Sequence, residues 1–310
     1  MITPPPLKIG DKVGITATAR KITLDEIAPA IALLDTWGLV PVIGATIGSS
    51  LNQFSADDLS RAKDLTAFLQ DESIKAVWCA RGGYGTFRMV DMVEWKWLKK
   101  YPKWIIGYSD ITVLHSHLFR LGIKSIHATM PINVSNNTPQ ALSSLYNVLF
   151  DPMPEANYRW PANPLNRQGQ GKGRLVGGNL SVLYSIAGSR SEADWKNTVL
   201  FLEDLDEYLY HIDRMMLNLQ KRGVLAQLSG MVVGGMTDMR DNTIPFGKSA
   251  YEIVADHVAE YSYPVAYDFP AGHISNNTAL QIGQQVHLQC EAAHAHLGTH
   301  TITKYSGNIN

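Results

Sequence analysis

The sequence predicts an α/β protein: an N-terminal, mostly parallel sheet flanked by helices, followed by a second α/β unit. Three observations predict it. Short apolar runs alternate with stretches of helical period through the first half, the pattern of strands joined by crossover helices. Residues 151–173 are polar, rich in Pro, Asn, Gln and Gly, and without sustained period, as expected of a linker. Apolar runs then resume at 198–202, 231–234 and 265–267. The expected division is 1–150, a linker at 151–173, and 174–310.

In the first unit, strands are expected at residues 12–17, 39–43, 76–80, 104–107 and 124–126. A helix over 24–37 places Ile27, Ile31, Leu34 and Trp37 on one side and stops at Gly38; Pro29 fits best in a first turn, which pulls the expected start towards Ile27. A second helix over 55–69 opens with Ser55 as its expected cap and Asp58 three residues on. The run 104–107 ends in Tyr108-Ser109-Asp110 and is followed by a helical pattern over 111–121. After the linker, residues 174–181 lead into a short apolar helix.

Composition excludes several function classes. With 310 residues the chain can bury a sizeable core, and the formal net charge of −1 offers no basic field for nucleic acid and no polybasic patch for a membrane. The two cysteines are far apart, and Cys79 falls in an apolar run, where an unpaired cysteine behaves as a small hydrophobe. The N-terminus lacks the pattern of a signal peptide, and no apolar run approaches the ~18 residues of a membrane span. The expectation is a soluble, cytoplasmic protein with a small, roughly neutral partner.

Candidate chemistry clusters at strand ends. Ser109 sits on a sharp strand-to-helix turn, which suits a nucleophile lifted out of the packed layer, although local pattern alone favours Ser109 or Asp110 as the cap of the next helix. Val199-Leu200-Phe201-Leu202 runs straight into Glu203, putting a partly buried carboxylate at the end of a strand, where α/β sheets gather ligands. Asp206 and Glu207 read equally as a solvated acidic loop. His273 follows Phe269-Pro270-Ala271-Gly272 on a loop after another strand. His115, His117, His211 and His257 lie in helical patterns, and His294, His296 and His300 lack the carboxylate or cysteine that would complete a zinc site. The turn Arg81-Gly82-Gly83-Tyr84-Gly85-Thr86 lets backbone N–H groups approach a ligand, or is simply a tight turn; its glycine spacing is not that of a dinucleotide fingerprint.

Arg81-Gly-Gly-Tyr-Gly, Gly107-Tyr-Ser-Asp, Gly177-Gly-Asn-Leu, Leu202-Glu-Asp, Ile212-Asp-Arg and Gly272-His occur in this order, and with them nearly the whole chain resembles the L,D-carboxypeptidase family, the muramoyltetrapeptide carboxypeptidases and their microcin-immunity relatives. The resemblance implies a serine peptidase with Ser109 as nucleophile, His273 as general base and acid, and Glu203 as the carboxylate that orients the imidazole. It implies an oxyanion hole at the backbone N–H groups of Gly83 and Asp110, an active site between the two units, no metal or organic cofactor, and usually a homodimer. The implied reaction releases terminal D-alanine from cytoplasmic murein tetrapeptide during cell-wall recycling. A cation for the substrate carboxylate is expected at Arg81 or Arg214.

Where many members of the family carry a Pro-Ser-type turn after the first strand, this chain has Thr16-Ala17-Thr18-Ala19. A microcin-type peptidase that cleaves a peptide-adenylate conjugate is the nearest alternative. An α/β-hydrolase esterase is disfavoured because Ile111 replaces the second glycine of G-x-S-x-G. A non-catalytic two-domain protein binding peptide or sugar is the alternative outside enzymes, and it gives a strained serine turn no purpose.

Overall fold

The computed structural model describes residues 1–151 and 157–299. In chain order the first part runs β1 (Lys12–Thr16), α1 (Leu24–Thr36), β2 (Val40–Ile43), α2 (Asp58–Gln70), β3 (Ile74–Cys79), α3 (Thr86–Met89), α4 (Lys96–Lys100), β4 (Trp104–Gly107), α5 (Thr112–Arg120), β5 (Ser125–His127) and α6 (Pro139–Phe150). The second runs β6 (Asn157–Pro161), β7 (Gly169–Asn179), α7 (Leu180–Ser185), β8 (Thr198–Leu205), α8 (Leu209–Lys221), β9 (Gly230–Thr237), α9 (Ala250–Val258), β10 (Val265–Ala266), β11 (Leu280–Ile282), β12 (Gln285–Cys290) and β13 (His294–Gly298).

The first sheet has the order β11-β5-β4-β3-β1-β2, parallel except for β11, which pairs antiparallel with β5. The chain reverses its direction of travel across the sheet between β1 and β3, so the loops after those strands part and leave a crevice at their carboxyl ends. The second sheet has the order β10-β9-β8-β7-β12-β13-β6, with β7 to β10 parallel and the remainder antiparallel.

Three local expectations differ from the structure. The first helix starts at Leu24 with Pro29 inside it, because Thr23 and Glu26 form a reciprocal capping box that fixes the start. The second helix is capped by Asp57, whose side chain accepts from Ser60 N–H; Ser55 instead donates to the Ala17 carbonyl at 2.6 Å. Of the expected linker, residues 152–156 lie outside the described residues, whereas Asn157–Pro161 and the start of β7 are strands whose partners, β13 and β12, come from the end of the chain. Such long-range pairing leaves no local period to read.

The two sheets meet through α5. Its residues from Thr112 to Leu118 are buried, and one apolar cluster runs from Val77, Ile105 and Leu114 to Val176, Leu180 and Leu200. Each fully buried aliphatic side chain of this kind contributes roughly 1.5–3 kcal/mol. A polar contact sets the register: Thr112 Oγ1 accepts from Asn179 N–H at 3.0 Å, and Gly178 has no Cβ because one would collide with Thr112. The helix behind Ser109 therefore rests directly on the strand beside β8, which carries Glu203. Cys79 and Cys290 are free and buried, and burial pushes the Cys79 thiol up to about 12. Among the described residues no helix is long and apolar enough to cross a membrane.

Candidate active site

Strand β4 is buried throughout and delivers the chain into a strained turn: Gly107 at φ 157°, Tyr108 extended, and Ser109 at φ 63°. A side chain at positive φ costs about 1–2 kcal/mol, so Ser109 is held there by its surroundings. A Cβ on Gly107 would stand 2.8 Å from Ile111 Cγ1, which is why the turn closes so tightly. Ser109 makes no capping hydrogen bond to either the 3-10 turn Ser109–Ile111 or α5, and its Oγ has no hydrogen-bond partner among the described residues. Helix capping therefore does not account for it.

Asp110 does not cap its own helix either. Its buried carboxylate accepts from Thr86 N–H at 2.9 Å, tying the glycine turn 81–86 to the serine turn; burial pushes its pKa up, against the Thr86 hydrogen bonds. Gly82 fits against the serine: a Cβ there would stand 3.0 Å from Ser109 Cβ, 3.1 Å from its Oγ and 3.3 Å from Asp110 N. Gly83 has φ 105°, and the N–H groups of Gly82 and Gly83 donate to no acceptor among the described residues. A turn that presents unsatisfied N–H groups beside a serine hydroxyl can receive a developing oxyanion.

The second sheet supplies a carboxylate and an imidazole. Glu203 lies inside β8 and is fully buried. Its Oε2 accepts from His273 Nδ1–H at 2.6 Å and from His273 N–H at 3.2 Å, so one oxygen fixes both the ring and the backbone of that residue. Oε1 has no partner among the described residues, which leaves the charge directed at the imidazole. Burial pulls the His273 pKa down, but the charge and hydrogen bond of Glu203 outweigh it and raise the pKa above its ordinary value. Gly272, at φ 111°, permits this approach, because a Cβ there would stand 2.7 Å from Glu203 Cβ. Asn277 Oδ1 accepts from Gly272 N–H at 2.9 Å and holds the loop.

The ring of Tyr108, the residue before Ser109, lies 4.7 Å from the ring of His273, centre to centre, and joins the two halves of the site. With Nδ1–H engaged by Glu203, Nε2 is the nitrogen left to exchange a proton. Apo structures often hold such contacts loosely before substrate arrives. Asp204, the next residue, is occupied structurally: it accepts from Asn179 Nδ2, Ser181 N–H and Leu205 N–H, and burial together with the Glu203 charge raises its pKa to about 7.

The other expected residues fall elsewhere. Arg81 donates to the Lys21 carbonyl at 3.3 Å and pairs with Glu26 at 3.7 Å, and Arg214 is exposed on α8 with its guanidinium 5.2 Å from the Tyr210 ring centre. Asp206 pairs with Arg240, and Glu207 with His211 at 2.6 Å. His294 pairs with Glu291 at 3.1 Å and His296 bonds Asn157 at 2.9 Å, whereas His300 lies outside the described residues. No group of three metal-ligating side chains occurs among the described residues. A cavity of about 710 Å³ lies beside Tyr146, Tyr158 and Leu297 and is lined by none of Ser109, Glu203 or His273. The site is thus defined by its chemistry and not by concavity alone. Tyr108 and Thr112 carry no sequence signal for their positions, since their partners, His273 and Asn179, are distant in the chain.

Known proteins share this fold. The LD-carboxypeptidase N-terminal domain matches residues 13–128 and the LD-carboxypeptidase C-terminal domain matches residues 172–288. The Bacillus subtilis (strain 168) protein named "Probable murein peptide carboxypeptidase" is 32% identical over 290 residues, covering 90% of this chain and 89% of its own. The solved muramoyltetrapeptide carboxypeptidase from Oxalobacter formigenes superposes with a TM-score of 0.84 at 25% identity, covering 93% of this chain and 98% of its own. The microcin C7 self immunity protein MccF, in a complex with aspartyl sulfamoyl adenosine, shares the fold with a TM-score of 0.86 at 18% identity, covering 98% of this chain and 100% of its own. The chain belongs to the LD-carboxypeptidase family and is an enzyme of the serine carboxypeptidase class.

Proposed function

We propose that the protein hydrolyses the L,D amide that holds the terminal D-alanine of murein tetrapeptide, through a Ser109-His273-Glu203 triad. The observation that carries this reading is the 2.6 Å Glu203–His273 pair, whose imidazole packs on Tyr108, the residue before the strained Ser109. In this reaction His273 Nε2 takes the Ser109 proton as Oγ attacks the scissile carbonyl carbon. The carbonyl oxygen becomes an oxyanion and accepts from the N–H groups of Gly83 and Asp110. Collapse breaks the C–N bond, and the D-alanine amine leaves with the proton from His273. Water then repeats the sequence on the acyl-serine ester and frees the tripeptide.

The proposed location is the cytoplasm, in peptidoglycan recycling, and the proposed assembly is a homodimer. The two-domain division is part of the reading, with the nucleophile on 1–150 and the acid and base on 174–310. Strand β11 is the exception, returning from the second part to the first sheet. The murein substrate is favoured over a microcin-type conjugate because the Bacillus subtilis relative at 32% identity is named for murein peptide, whereas the MccF likeness at 18% speaks for fold alone.

Mass spectrometry of the purified protein with murein tetrapeptide, pentapeptide and a D,D-linked control tests the reading. Loss of a single D-alanine from tetrapeptide only, abolished in Ser109→Ala, is the expected pattern; cleavage of the D,D-linked control, or full activity of the folded variant, overturns it. Light scattering after size exclusion tests the dimer.

A further inference from the structure

We propose that Arg20 receives the free terminal carboxylate of the substrate and so makes the enzyme a carboxypeptidase, an inference that rests on the peptide hydrolysis proposed above. The covalent geometry of a C-terminal residue limits where that carboxylate can be. Its carbon lies within about 4 Å of the scissile carbonyl carbon, because only the C–N, N–Cα and Cα–C bonds separate them. A recognising cation must therefore stand beside the turn that holds the oxyanion, on the leaving-group side.

Arg20 stands beside that turn. It lies on the loop after β1, and the glycine turn follows β3, the two strands between which the first sheet reverses its order; ligands of open α/β sheets bind in that crevice. The aliphatic stem of Arg20 lies on Gly83, where a Cβ would fall inside the arginine side chain, with Arg20 Cγ at 2.9 Å and Nε at 3.4 Å. A Cβ on Gly82, the neighbouring residue, would stand 3.1 Å from Ser109 Oγ. The glycine turn therefore lies between the Arg20 stem and Ser109.

The backbone beneath Arg20 is held from both sides. Ser55 N–H donates to the Ala19 carbonyl at 3.1 Å, Lys21 N–H donates to the Gln53 carbonyl at 2.9 Å, and Arg20 bridges Phe54 in antiparallel fashion. Thr18 Oγ1 lies 3.0 Å from Thr86 Oγ1, which links this loop to the glycine turn. Arg20 is exposed and has neither carboxylate nor carbonyl partner among the described residues. The two arginines expected from sequence are differently disposed: Arg81 is engaged by Glu26 and Lys21, and Arg214 packs on Tyr210. Of the three, Arg20 alone lays its stem on the glycine turn and keeps its guanidinium without an acceptor. A fork of N–H donors on a fixed stem suits a carboxylate, which it can bind through both oxygens.

The test compares murein tetrapeptide with the same peptide carrying a C-terminal carboxamide, using the full-length enzyme, Arg20→Gln and Arg20→Lys. Wild-type enzyme is expected to favour the free acid in kcat/KM, and Arg20→Gln to raise KM for the acid by about tenfold to hundredfold and bring the acid-to-amide ratio towards one. Arg20→Lys is expected to recover part of the preference, as a charge without the fork. An unchanged thermal midpoint shows that the variants remain folded. If Arg20→Gln hydrolyses tetrapeptide with the wild-type acid-to-amide ratio, the role of Arg20 is overturned while the peptidase reading stands. If the wild-type enzyme cleaves neither peptide, the peptidase reading falls and the proposal with it.

Discussion

The two sheets prepare the site in opposite ways. On the first, Ser109 is positioned by backbone strain, with φ 63° and close-fitting glycines, and its hydroxyl is unbonded. On the second, His273 is positioned by side-chain electrostatics, through a buried carboxylate that accepts both its ring and backbone N–H groups. In the proposed reaction the nucleophile must be free to move onto a carbon atom, whereas the base must keep one tautomer throughout the cycle. Strain in the backbone and charge in the core suit those two demands respectively.

The comparison breaks most visibly at the nucleophile. Ser109→Ala is expected to lower kcat for D-alanine release by about 10⁶-fold, measured by mass spectrometry of product, with the fold retained. Glu203→Gln leaves the shape of the second half but removes its charge. The expected loss in kcat is about 10⁴-fold, with a displaced pH profile. The direction follows from the raised pKa of His273: the base must be neutral, so the acid limb of kcat/KM in the wild-type enzyme lies above histidine's ordinary value. Without the Glu203 charge, burial is the largest influence left on His273, opposed only by the smaller effect of the Asp204 charge, and the limb moves to lower pH; a limb that moves upward or stays would contradict this account.

Smaller effects sharpen the contrast. Gly82→Ala pushes a methyl group against Ser109 Cβ and Oγ and is expected to reduce kcat by about 10²-fold, with little change in the pKa read from the acid limb, because the second half is untouched. At position 109 itself, chemical denaturation should find Ser109→Gly more stable than Ser109→Ala by about 1 kcal/mol, since glycine tolerates the positive φ. Equal stabilities would mean that the turn is not strained.

An effect of pH on stability concerns His115, whose Nε2–H donates to the Gly107 carbonyl at 2.8 Å and whose Nδ1 accepts from Ser125 Oγ–H at 2.8 Å. Burial lowers its pKa from 6.5 to about 4. The unfolded chain therefore binds a proton in that window and the folded one does not, so the stabilising contribution is full above about 6.5 and disappears as pH falls towards 4. His115→Gln should flatten the pH dependence of unfolding between those limits, as measured by denaturant titration.

How much was legible in the sequence differs between the same two regions. The strand 104–107 was readable to the residue, because a fully buried parallel strand is a continuous apolar run with abrupt ends. Glu203 and His273 stood out as polar groups at the ends of such runs, and the six ordered motifs assigned their roles. The antiparallel edge of the second sheet was not readable, since β6 and the start of β7 pair with strands more than 100 residues away and resemble a polar linker locally.

Sequence by itself determined the α/β class and the family, and nominated the three side chains of the proposed triad, all carried by local apolar runs and short motifs. Only the tertiary structure decided whether Ser109 caps a helix, which carboxylate oxygen meets His273, and which arginine stands at the glycine turn. Arg81 is adjacent to that turn in the chain yet points to Glu26, whereas Arg20, some sixty residues earlier, lies across it. The physical reason is that local pattern reports burial and strand ends, while the partner of a polar group depends on which loops a sheet brings together, and strand order is not written in any single segment.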